Sequence, residues 1–319
     1  MSGGTVLALV GGVGGGKFAR GLAAVLPPDE LAIVVNTADD FVHLGLHISP
    51  DVDSVLYALS DRNDPERGWG LAGETWNFMA ALRELGGETW FQLGDRDLAT
   101  HVLRTQLLAA GRSLSEVTAT LAQRLGLKHR VAPMSDQAVR SVIETDEEPM
   151  AFQDYFVRRR CQPAFRSVRF QGASDAAPSP AFRAAVERAS AIVIAPSNTL
   201  VSIDPILALN GVREMLMRSP APVVAISPIV GGQAVKGPLA KMMRELGLDA
   251  SPLGVARHYG SLVGGWIVDD ADADSTPALQ ALGCHVRVTG TIMRDTQDKA
   301  RLAREALNFA RELPRKPVG

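Results

Sequence analysis

The sequence has little cysteine and little net charge. Two of its 319 residues are cysteines, Cys161 and Cys284, and their wide separation favours free thiols in a reducing compartment over a disulfide framework. The formal net charge of -2 leaves no global basic field that would hold nucleic acid or an anionic membrane. We therefore expect no nucleic-acid partner, and any bound anion must be held by a local site.

Long apolar runs are also missing. The longest stretches, residues 189–196 and 221–230, are shorter than the ~20 residues of a membrane helix and contain proline. No basic residue precedes the first apolar stretch near the N-terminus, and glycines follow it where a signal peptide would continue as a helix. The sequence therefore predicts a cytoplasmic protein without a membrane segment or an export signal.

What the chain does contain is an ordinary globular composition. Hydrophobic residues make up 46% and charged residues 21%, which excludes disordered, collagen-like and coiled-coil proteins. A chain of 319 residues is long enough to bury a large core. A small scaffold held together by disulfides or metal ions is therefore excluded as well.

Units of strand, turn and helix occur at both ends of the chain. Residues 5–10 and 31–35 are continuous apolar runs, and glycines after the first run lead into a helical pattern from Lys17. Residues 191–194 and 223–226 repeat the pattern. Runs without alternation are typical of strands buried on both faces of a parallel sheet. The sequence therefore predicts a Rossmann-like, doubly wound α/β fold with a mostly parallel sheet.

The middle of the chain differs from both ends. Helical periodicity there predicts helices over residues 73–85, 96–110 and 113–126. Residues 131–180 are less regular, and we interpret 70–180 as a mainly helical and irregular insertion in a single domain over 1–319. The small residues and prolines of 172–180 make that segment the best internal linker candidate. Residues 295–313 predict an amphipathic C-terminal helix that covers the core.

A glycine-rich segment, GGVGGGK at residues 11–17, follows the first predicted strand. Backbone N–H groups and the helix dipole bind phosphate in this context. The candidate phosphate ligands are Gly12, Gly14, Gly15 and Lys17. A segment with so many glycines also matches the Walker A and dinucleotide-binding patterns, so neither match is specific. Phe18 stands where Walker A needs a magnesium-binding Ser or Thr. The alternative is a tight turn without a ligand.

Four aspartates lie close together after the second predicted strand. Asp39 and Asp40 follow the strand directly, and Asp51 and Asp53 follow the next loop. Ligands bind at the carboxyl edge of open α/β sheets, and carboxylates beside a phosphate site suit Mg²⁺. We therefore predict a magnesium site here. The alternative is that Asp51 or Asp53 caps the helix that starts near Ser54.

Other polar residues flank predicted strands and helices. The further candidate ligands for an anion are Arg96, Ser197, Asn198, Ser202 and Lys236. Arg96 equally fits a salt bridge, and the alternative for the hydroxyl and amide groups is a helix cap. His43 and His47 are four residues apart, but Gly45 lies between them, so we expect solvated loop histidines rather than a zinc site.

Six segments carry a resemblance that spans almost the whole chain. They are GGVGGGK at 11–17, NTADDFVHLGLHISPDVDSVLY at 36–57, GETWFQLGDRDLATH at 87–101, APSNTLVSIDPIL at 195–207, SPIVGGQAVKGP at 227–238 and TIMRD at 291–295. In this order they resemble the 2-phospho-L-lactate transferase family, and the second and third segments are specific to that family.

The resemblance implies the last joining step in making the deazaflavin coenzyme F420. Such phosphotransferases take a guanosine diphosphate conjugate of lactate, enolpyruvate or glycerate, made by a guanylyltransferase. They transfer the phosphorylated acid to the ribityl hydroxyl of the deazaflavin FO and release GMP. The resemblance also implies Mg²⁺ and a homodimer. It leaves the acid open, and the Ala- and Arg-rich composition favours the enolpyruvyl route of bacteria.

Carried over position by position, the resemblance implies a metal and reaction centre formed by Asp39, Asp40, Asp51 and Asp53. Asn36 and Thr37 of the same motif are then substrate contacts. Asp53 also takes the position expected to contact FO, where it would orient or deprotonate the hydroxyl. A second FO contact is implied at Gln92, which stands where the family commonly has Lys or Arg, so the ionic part of that contact is missing here. Thr199 stands where the family usually has proline.

Two rival classes share part of the pattern. A nucleotide-sugar-binding regulator of the gluconeogenesis-factor family has a similar opening strand, glycine turn and acidic loop, but it would bind without turnover. A nicotinamide dehydrogenase would also use the glycine turn. The segments SPDVD and GDRDLATH argue for the transferase.

Overall fold

The computed structural model describes residues 4–314, so both ends of the predicted 1–319 domain lie outside the described residues. The strands are β1 (Thr5–Val10), β2 (Leu31–Val35), β3 (Phe41–His43), β4 (Leu46–Ile48), β5 (Arg130–Pro133), β6 (Arg140–Thr145), β7 (Met150–Ala151), β8 (Phe165–Gln171), β9 (Ala189–Ile194), β10 (Val223–Ile226), β11 (Ile229–Val230), β12 (Gln233–Ala234), β13 (Gly265–Val268) and β14 (His285–Val288).

The α-helices are α1 (Gly12–Val25), α2 (Pro50–Leu59), α3 (Asn77–Glu84), α4 (Asp95–Ala109), α5 (Leu114–Arg124), α6 (Pro180–Glu187), α7 (Asp204–Leu207), α8 (Val212–Arg218), α9 (Leu239–Glu245), α10 (Pro252–Tyr259), α11 (Thr276–Ala281) and α12 (Thr296–Glu312). Two π-helices span Asp154–Arg158 and Thr199–Ile203, and 3₁₀ turns span Gly260–Leu262 and Asp270–Ser275. Within residues 4–314, no helix has the length and apolar character needed to cross a membrane.

Seven parallel strands form the central sheet, in the order β14-β13-β10-β9-β1-β2-β5. The chain builds outward from β1 through β2 to β5, then returns to β9 beside β1 and builds in the opposite direction. This confirms the predicted α/β fold with a parallel sheet. In such sheets the ligand site lies beyond the carboxyl ends of the strands, where the order reverses. Here that point lies between β1 and β9.

Strand β1 separates the two largest hydrophobic cores among the described residues. Val6, Ala8 and Val10 face the core formed with α1, α2 and α12. Leu7 and Leu9 face the other core, which contains apolar side chains of α6, α8, α9 and α10. Because successive side chains of a strand point to opposite faces, a strand buried on both faces must be apolar at every position. This is why residues 5–10 form a continuous apolar run in the sequence.

Helix α1 begins at Gly12, whereas the sequence predicted its start at Lys17. The glycine-rich segment is therefore the first turn and a half of the helix rather than a loop before it. Glycine has low helix propensity, which hides these turns from a periodicity analysis. The glycines permit close packing instead, because a Cβ at Gly15 would lie 2.8 Å from the Ser197 Oγ.

The middle of the chain is more regular than predicted. Helices α3, α4 and α5 confirm the three predicted helices to within a few residues. The prediction of an irregular stretch after them was wrong, because β5 joins the edge of the central sheet and β6, β7 and β8 form an antiparallel sheet. In β8, Val168 and Phe170 are partly buried while Arg169 and Gln171 are exposed. This alternation of buried and exposed residues is the sequence signal that indicates a strand here.

The predicted linker and C-terminal helix are both recognisable. Segment 172–180 has no regular structure before Pro180 begins α6, but it packs against the protein. The carbonyls of Ala173 and Ala176 both accept the Asn210 N–H at 3.2 Å. Helix α12 confirms the predicted C-terminal helix, and the Asp295 side chain caps it.

Candidate active site

A cavity of about 680 Å³ opens at the carboxyl edge of the sheet, at the reversal between β1 and β9. The loops after these two strands are tied together there. The Ser197 Oγ accepts the Gly11 N–H at 3.2 Å and donates to the Gly11 carbonyl at 2.8 Å. The volume lies in the range of small-molecule sites, so this edge can hold a substrate.

Most of the predicted site residues line this cavity. They are Gly12, Gly14, Lys17, Asp39, Asp51, Asp53, Gln92, Ser197, Asn198, Ser202 and Lys236. Four others are buried and do not line it, namely Gly15, Asn36, Thr37 and Asp40. Arg96 is exposed and its Nη1 donates to the Ala72 carbonyl at 2.7 Å, so the structure does not bring it to the cavity. The predicted salt bridge of Arg96 is likewise absent from the described residues.

The start of α1 makes one side of the cavity positive. First-turn N–H groups have no carbonyl partner within a helix, and the helix dipole is positive at this end. The Lys17 Nζ donates to the Met293 carbonyl at 3.3 Å. Burial lowers the pKa of Lys17, and the nearby Lys236 and Lys299 lower it further. An anion in this part of the cavity would relieve that repulsion.

We expect Gly14→Ala to weaken nucleotide binding and to destabilise the fold by about 1–3 kcal/mol. A Cβ at Gly14 would lie 2.6 Å from the Pro196 carbonyl oxygen, so the loop after β9 must move. Titration with a nucleoside diphosphate and urea unfolding measure the two effects. Gly264→Ala is the matched control, because a Cβ there meets nothing within 4 Å. Equal behaviour of the two variants would refute the close-packing argument.

Asn36, directly after β2, connects two of the four predicted aspartates. Its Nδ2 donates to Asp39 Oδ2 and Asp51 Oδ2, both at 3.0 Å. Its Oδ1 accepts the Ala38 N–H at 2.9 Å, which fixes the turn after the strand. The amide thereby holds a carboxylate from the β2 loop beside one from the first turn of α2.

The pair formed by Asp39 and Asp51 fits a divalent cation. Oδ1 of Asp39 is buried without a hydrogen-bond partner in a residue that lines the cavity. Burial, with the charge of Asp51 adding to it, raises the pKa of Asp39 well above its usual value. Burial also raises the pKa of Asp51 to about 6. Two buried, mutually repulsive carboxylates, one of which has an unbonded oxygen, are suitable oxygen ligands for Mg²⁺.

Asp40 and the two histidines lie elsewhere. Asp40 Oδ2 accepts from the Ser49 Oγ at 2.7 Å, and burial raises the pKa of Asp40 to about 8. The prediction of solvated loop histidines was wrong, because β3 and β4 form a hairpin that carries both of them. His43 is 5% exposed and packs edge-on against Trp90, with ring centroids 5.2 Å apart.

Asp53, in the first turn of α2, is paired with a residue that the sequence analysis did not single out. Arg104 of α4 donates from Nη1 to Asp53 Oδ2 at 3.1 Å and from Nη2 to Asp53 Oδ1. Arg104 is only 1% exposed. Burial raises the pKa of Asp53, although the Arg104 charge opposes this shift. Asp53 lines the cavity, whereas Arg104 lies behind it.

Asp97 and His101 complete a second polar cluster on the inner face of α4. Ligand atoms of Asp53, Asp97 and His101 lie within 4.8 Å of one another, and these residue types bind metals. Arg104 already neutralises Asp53, so a cation is less favoured here than between Asp39 and Asp51. The spacing of positions 97, 101 and 104 places them on one helix face, and this was the missed sequence signal.

Aromatic side chains line another part of the cavity. The Phe152 and Phe156 rings stack with centroids 5.4 Å apart, and Phe156 belongs to a π-helix. Phe91 and Trp69 also line the cavity. Flat apolar surfaces of this kind suit a planar ring system. The neighbouring Gln92 donates from Nε2 to the Thr89 carbonyl at 2.6 Å.

The loop after β9 uses its polar groups in two ways. Asn198 Oδ1 accepts the N–H groups of Leu200 at 3.0 Å and Val201 at 3.3 Å, so the helix-cap alternative applies to this residue. Ser197 joins the loop to Gly11, as described above. Ser202 lines the cavity from the π-helix that Asn198 caps.

His258 anchors the end of this loop through Asp204, with Nε2 and Oδ2 2.7 Å apart. That hydrogen bond raises the pKa of His258, against burial and Arg213, which lower it. The contact between His258 and Asp204 therefore stabilises the folded state fully below the pKa of an unfolded histidine, about 6.5. This stabilisation is lost as the pH rises through the higher pKa of His258 in the folded protein. We expect wild type, compared with His258→Gln, to lose its stability advantage between about pH 6 and pH 9. Urea unfolding at both pH values measures this, and a constant difference would refute it.

Fold and cavity together define a Rossmann-like α/β protein with a polar and aromatic cavity at the carboxyl edge of its sheet. The sequence model of the 2-phospho-L-lactate transferase CofD family matches residues 6–295. A phosphoenolpyruvate transferase of Kitasatospora aureofaciens is 42% identical over 315 residues, covering 97% of this chain and 98% of that protein. A 2-phospho-L-lactate transferase of Methanosarcina mazei is 41% identical over 293 residues, covering 92% and 96%.

The chain belongs to the 2-phospho-L-lactate transferase CofD family, as the sequence resemblance indicated, and is a transferase of coenzyme F420 biosynthesis. The fold has a counterpart in a crystal structure of a UPF0052-family protein from Bacillus halodurans. That structure has a TM-score of 0.62, 18% identity, and a match covering 96% of this chain and 99% of that one. At this identity the likeness concerns the fold alone.

Proposed function

We propose that the protein transfers a phosphorylated three-carbon acid from a guanosine diphosphate conjugate to the ribityl hydroxyl of FO and releases GMP. The product would be F420-0 or its dehydro form. The curated relatives are named for phosphoenolpyruvate and for 2-phospho-L-lactate. We assign the phosphoenolpyruvyl group as the first candidate, because the bacterial relative carries that name at 42% identity. Phospholactate and phosphoglycerate are the alternatives.

One observation carries the proposal. A single cavity joins the positive end of α1, two separate buried carboxylate sites and a set of aromatic side chains. Phosphate groups suit the first feature and a deazaflavin ring suits the last. The carboxylates of Asp39, Asp51 and Asp53 belong to the same cavity, as expected where the two substrates would meet.

The reaction is a displacement at phosphorus. The FO hydroxyl oxygen forms a bond to the phosphorus that carries the acid, while the bond from this phosphorus to the bridging oxygen breaks. GMP leaves with the electron pair, and Asp53 accepts the hydroxyl proton. The Asp53 pKa, raised by burial, suits proton acceptance better than that of a solvated aspartate. Positioning and charge stabilisation supply most of the catalysis in such transfers.

Mg²⁺ is the cofactor that we assign to Asp39 and Asp51. Bound there, it would neutralise the diphosphate and stabilise the charge that develops on it. The Lys17 ammonium and the first N–H groups of α1 would contact other phosphate oxygens. Asn36 has the supporting task of holding both carboxylates in place.

Product formation tests the proposal directly. Purified protein is incubated with FO, Mg²⁺, GTP and a guanylyltransferase, and with phosphoenolpyruvate, 2-phospholactate or 3-phosphoglycerate in separate reactions. Mass spectrometry identifies the deazaflavin product and GMP. We expect one acid to give a product of the corresponding mass.

The same experiment separates the rival class. A regulator of the gluconeogenesis-factor type would bind the nucleotide conjugates and give no product with any acid. Omission of FO provides the control, since GMP released without FO indicates hydrolysis rather than transfer. Tight binding without turnover would overturn the proposed function.

A further inference from the structure

Arg104 is the most deeply buried arginine or lysine among residues 4–314, with 1% of its surface exposed. It does not line the cavity, yet its guanidinium binds both carboxylate oxygens of Asp53, which does. Burying a guanidinium is unfavourable unless its charge and its donors are matched. An ion pair with only a structural role could be replaced by apolar residues. The position of Arg104 directly behind a carboxylate of the cavity therefore needs a further explanation.

We propose that Arg104 is a positioning residue, which fixes the orientation of the Asp53 carboxylate toward the FO hydroxyl through their two-point contact. The inference rests on the proposed function, in which Asp53 accepts the proton of that hydroxyl. Two parallel hydrogen bonds from a planar guanidinium fix both the location and the rotation of a carboxylate. A single hydrogen bond would leave the carboxylate free to rotate.

The guanidinium is itself held in one orientation. Its Nη1 lies 3.1 Å from His101 Nδ1 and 3.4 Å from the His47 carbonyl. A guanidinium only donates, so Nδ1 must accept and the ring proton lies on Nε2. Nε2 lies 3.4 Å from Asp97 Oδ2, which is close enough for electrostatic attraction, but the two atoms do not have hydrogen-bond geometry.

The chain of contacts continues from α4 back to α2. The hydroxyl of Tyr57, one turn after Asp53, donates a hydrogen bond to Asp97 Oδ1. The Tyr57 oxygen also lies 2.9 Å from the Thr100 Oγ1. Burial raises the pKa of Asp97, but its contacts with His101 and Tyr57 outweigh this effect and leave the pKa lowered. Asp53 and Tyr57 lie on the same helix and Arg104 and Asp97 on another, so the network fixes α2 against α4. The carboxylate orientation therefore depends on the packing of two rigid elements.

Two substitutions at Arg104 test the proposal. Arg104→Gln removes the charge and the planar two-point contact, and Arg104→Lys keeps the charge and loses the second contact. We expect Arg104→Gln to lower kcat about 10²-fold, the typical effect of a misplaced reacting group, with the KM values for FO and the conjugate within about threefold. Arg104→Lys should recover part of the loss. Full recovery by lysine would show that charge alone matters and would overturn the proposed two-point role.

A double-mutant cycle separates positioning from general structural support. If Arg104 acts through Asp53, Arg104→Gln should change kcat by less than about twofold in an Asp53→Asn background. A loss of the same size in both backgrounds would overturn the proposal. So would a raised KM with unchanged kcat, because Arg104 would then support substrate binding. The lysine variant keeps the test valid if the glutamine variant fails to fold.

The matched control and the wild-type reaction complete the design. Arg287 pairs with Glu305 at 3.3 Å and Glu312 at 2.5 Å away from the cavity, so Arg287→Gln removes an ion pair without a cavity carboxylate. We expect its kcat to match wild type. If wild type forms no product, the proposed function fails. If wild type is active and the kcat losses of Arg104→Gln and Asp53→Asn multiply independently, the proposed role of Arg104 is wrong and the proposed function stands.

Discussion

Asp53→Asn is expected to lower kcat by about 10²–10⁴-fold, the usual contribution of general base catalysis, while the nucleotide conjugate still binds. Asparagine has nearly the shape of aspartate and can still accept a hydrogen bond from Arg104, but it cannot take up the proton of the attacking hydroxyl. The positive side of the cavity, formed by α1 and Lys17, is unchanged by the substitution. The loss should therefore appear in kcat and not in the binding constant for the conjugate.

The same substitution has a cost in stability. It leaves the guanidinium of Arg104 buried without its counter-charge, and breaking a buried ion pair in this way typically costs about 3–5 kcal/mol. Urea unfolding measures the loss, and calorimetric titration of the conjugate shows whether the folded variant still binds. These two measurements separate a chemical defect from a folding defect.

Asp61→Asn is the matched control for Asp53→Asn. Asp61 pairs with Arg20 at 2.7 Å, but its side chain is 66% exposed, so loss of this pair should affect stability and turnover little. Normal turnover of the Asp53→Asn protein would remove Asp53 from the reaction. In that case the pairing with Arg104 would be a structural feature only.

Local sequence patterns were enough to predict several residues that line the cavity. β1 and β2 are buried on both faces, so their apolar runs identify them, and the residues that follow reach the carboxyl edge of the sheet by topology. Gly12, Lys17, Asp39 and Asp51 were predicted in this way, and all four line the cavity. None of these inferences needed a long-range contact.

The part that could not be predicted depends on tertiary contacts. Asp53 and Arg104 are 51 positions apart, and no spacing rule connects a helix start with the middle of another helix. The face formed by Asp97, His101 and Arg104 was visible as helical spacing, but which residues it would meet was not. Arg96 lies in the same turn as Asp97, but its side chain donates to the Ala72 carbonyl outside the cavity. The sequence alone did not distinguish this exposed arginine from the buried Arg104.

Removal of divalent cations is expected to lower turnover by about 10³-fold, because a metal ion bound at the diphosphate contributes several kcal/mol to charge stabilisation. Treatment with EDTA followed by gel filtration should produce this loss, and added Mg²⁺ should restore it. The unbonded Oδ1 of Asp39 and its repulsion with Asp51 motivate the expectation. Full turnover by protein shown to be free of metal would contradict it.

Asp51→Asn tests the assigned ligands by a measurement that does not depend on activity. Mn²⁺ serves as the probe, and electron paramagnetic resonance counts the free ion in the presence of a nucleoside diphosphate. Loss of one of two carboxylate ligands should weaken Mn²⁺ binding on the order of 10²-fold. Asp97→Asn is the comparison, since Asp97 belongs to the second cluster with His101 and Asp53. If Asp97→Asn weakens Mn²⁺ binding and Asp51→Asn does not, the cation lies beside Arg104 and the assignment to Asp39 and Asp51 is wrong.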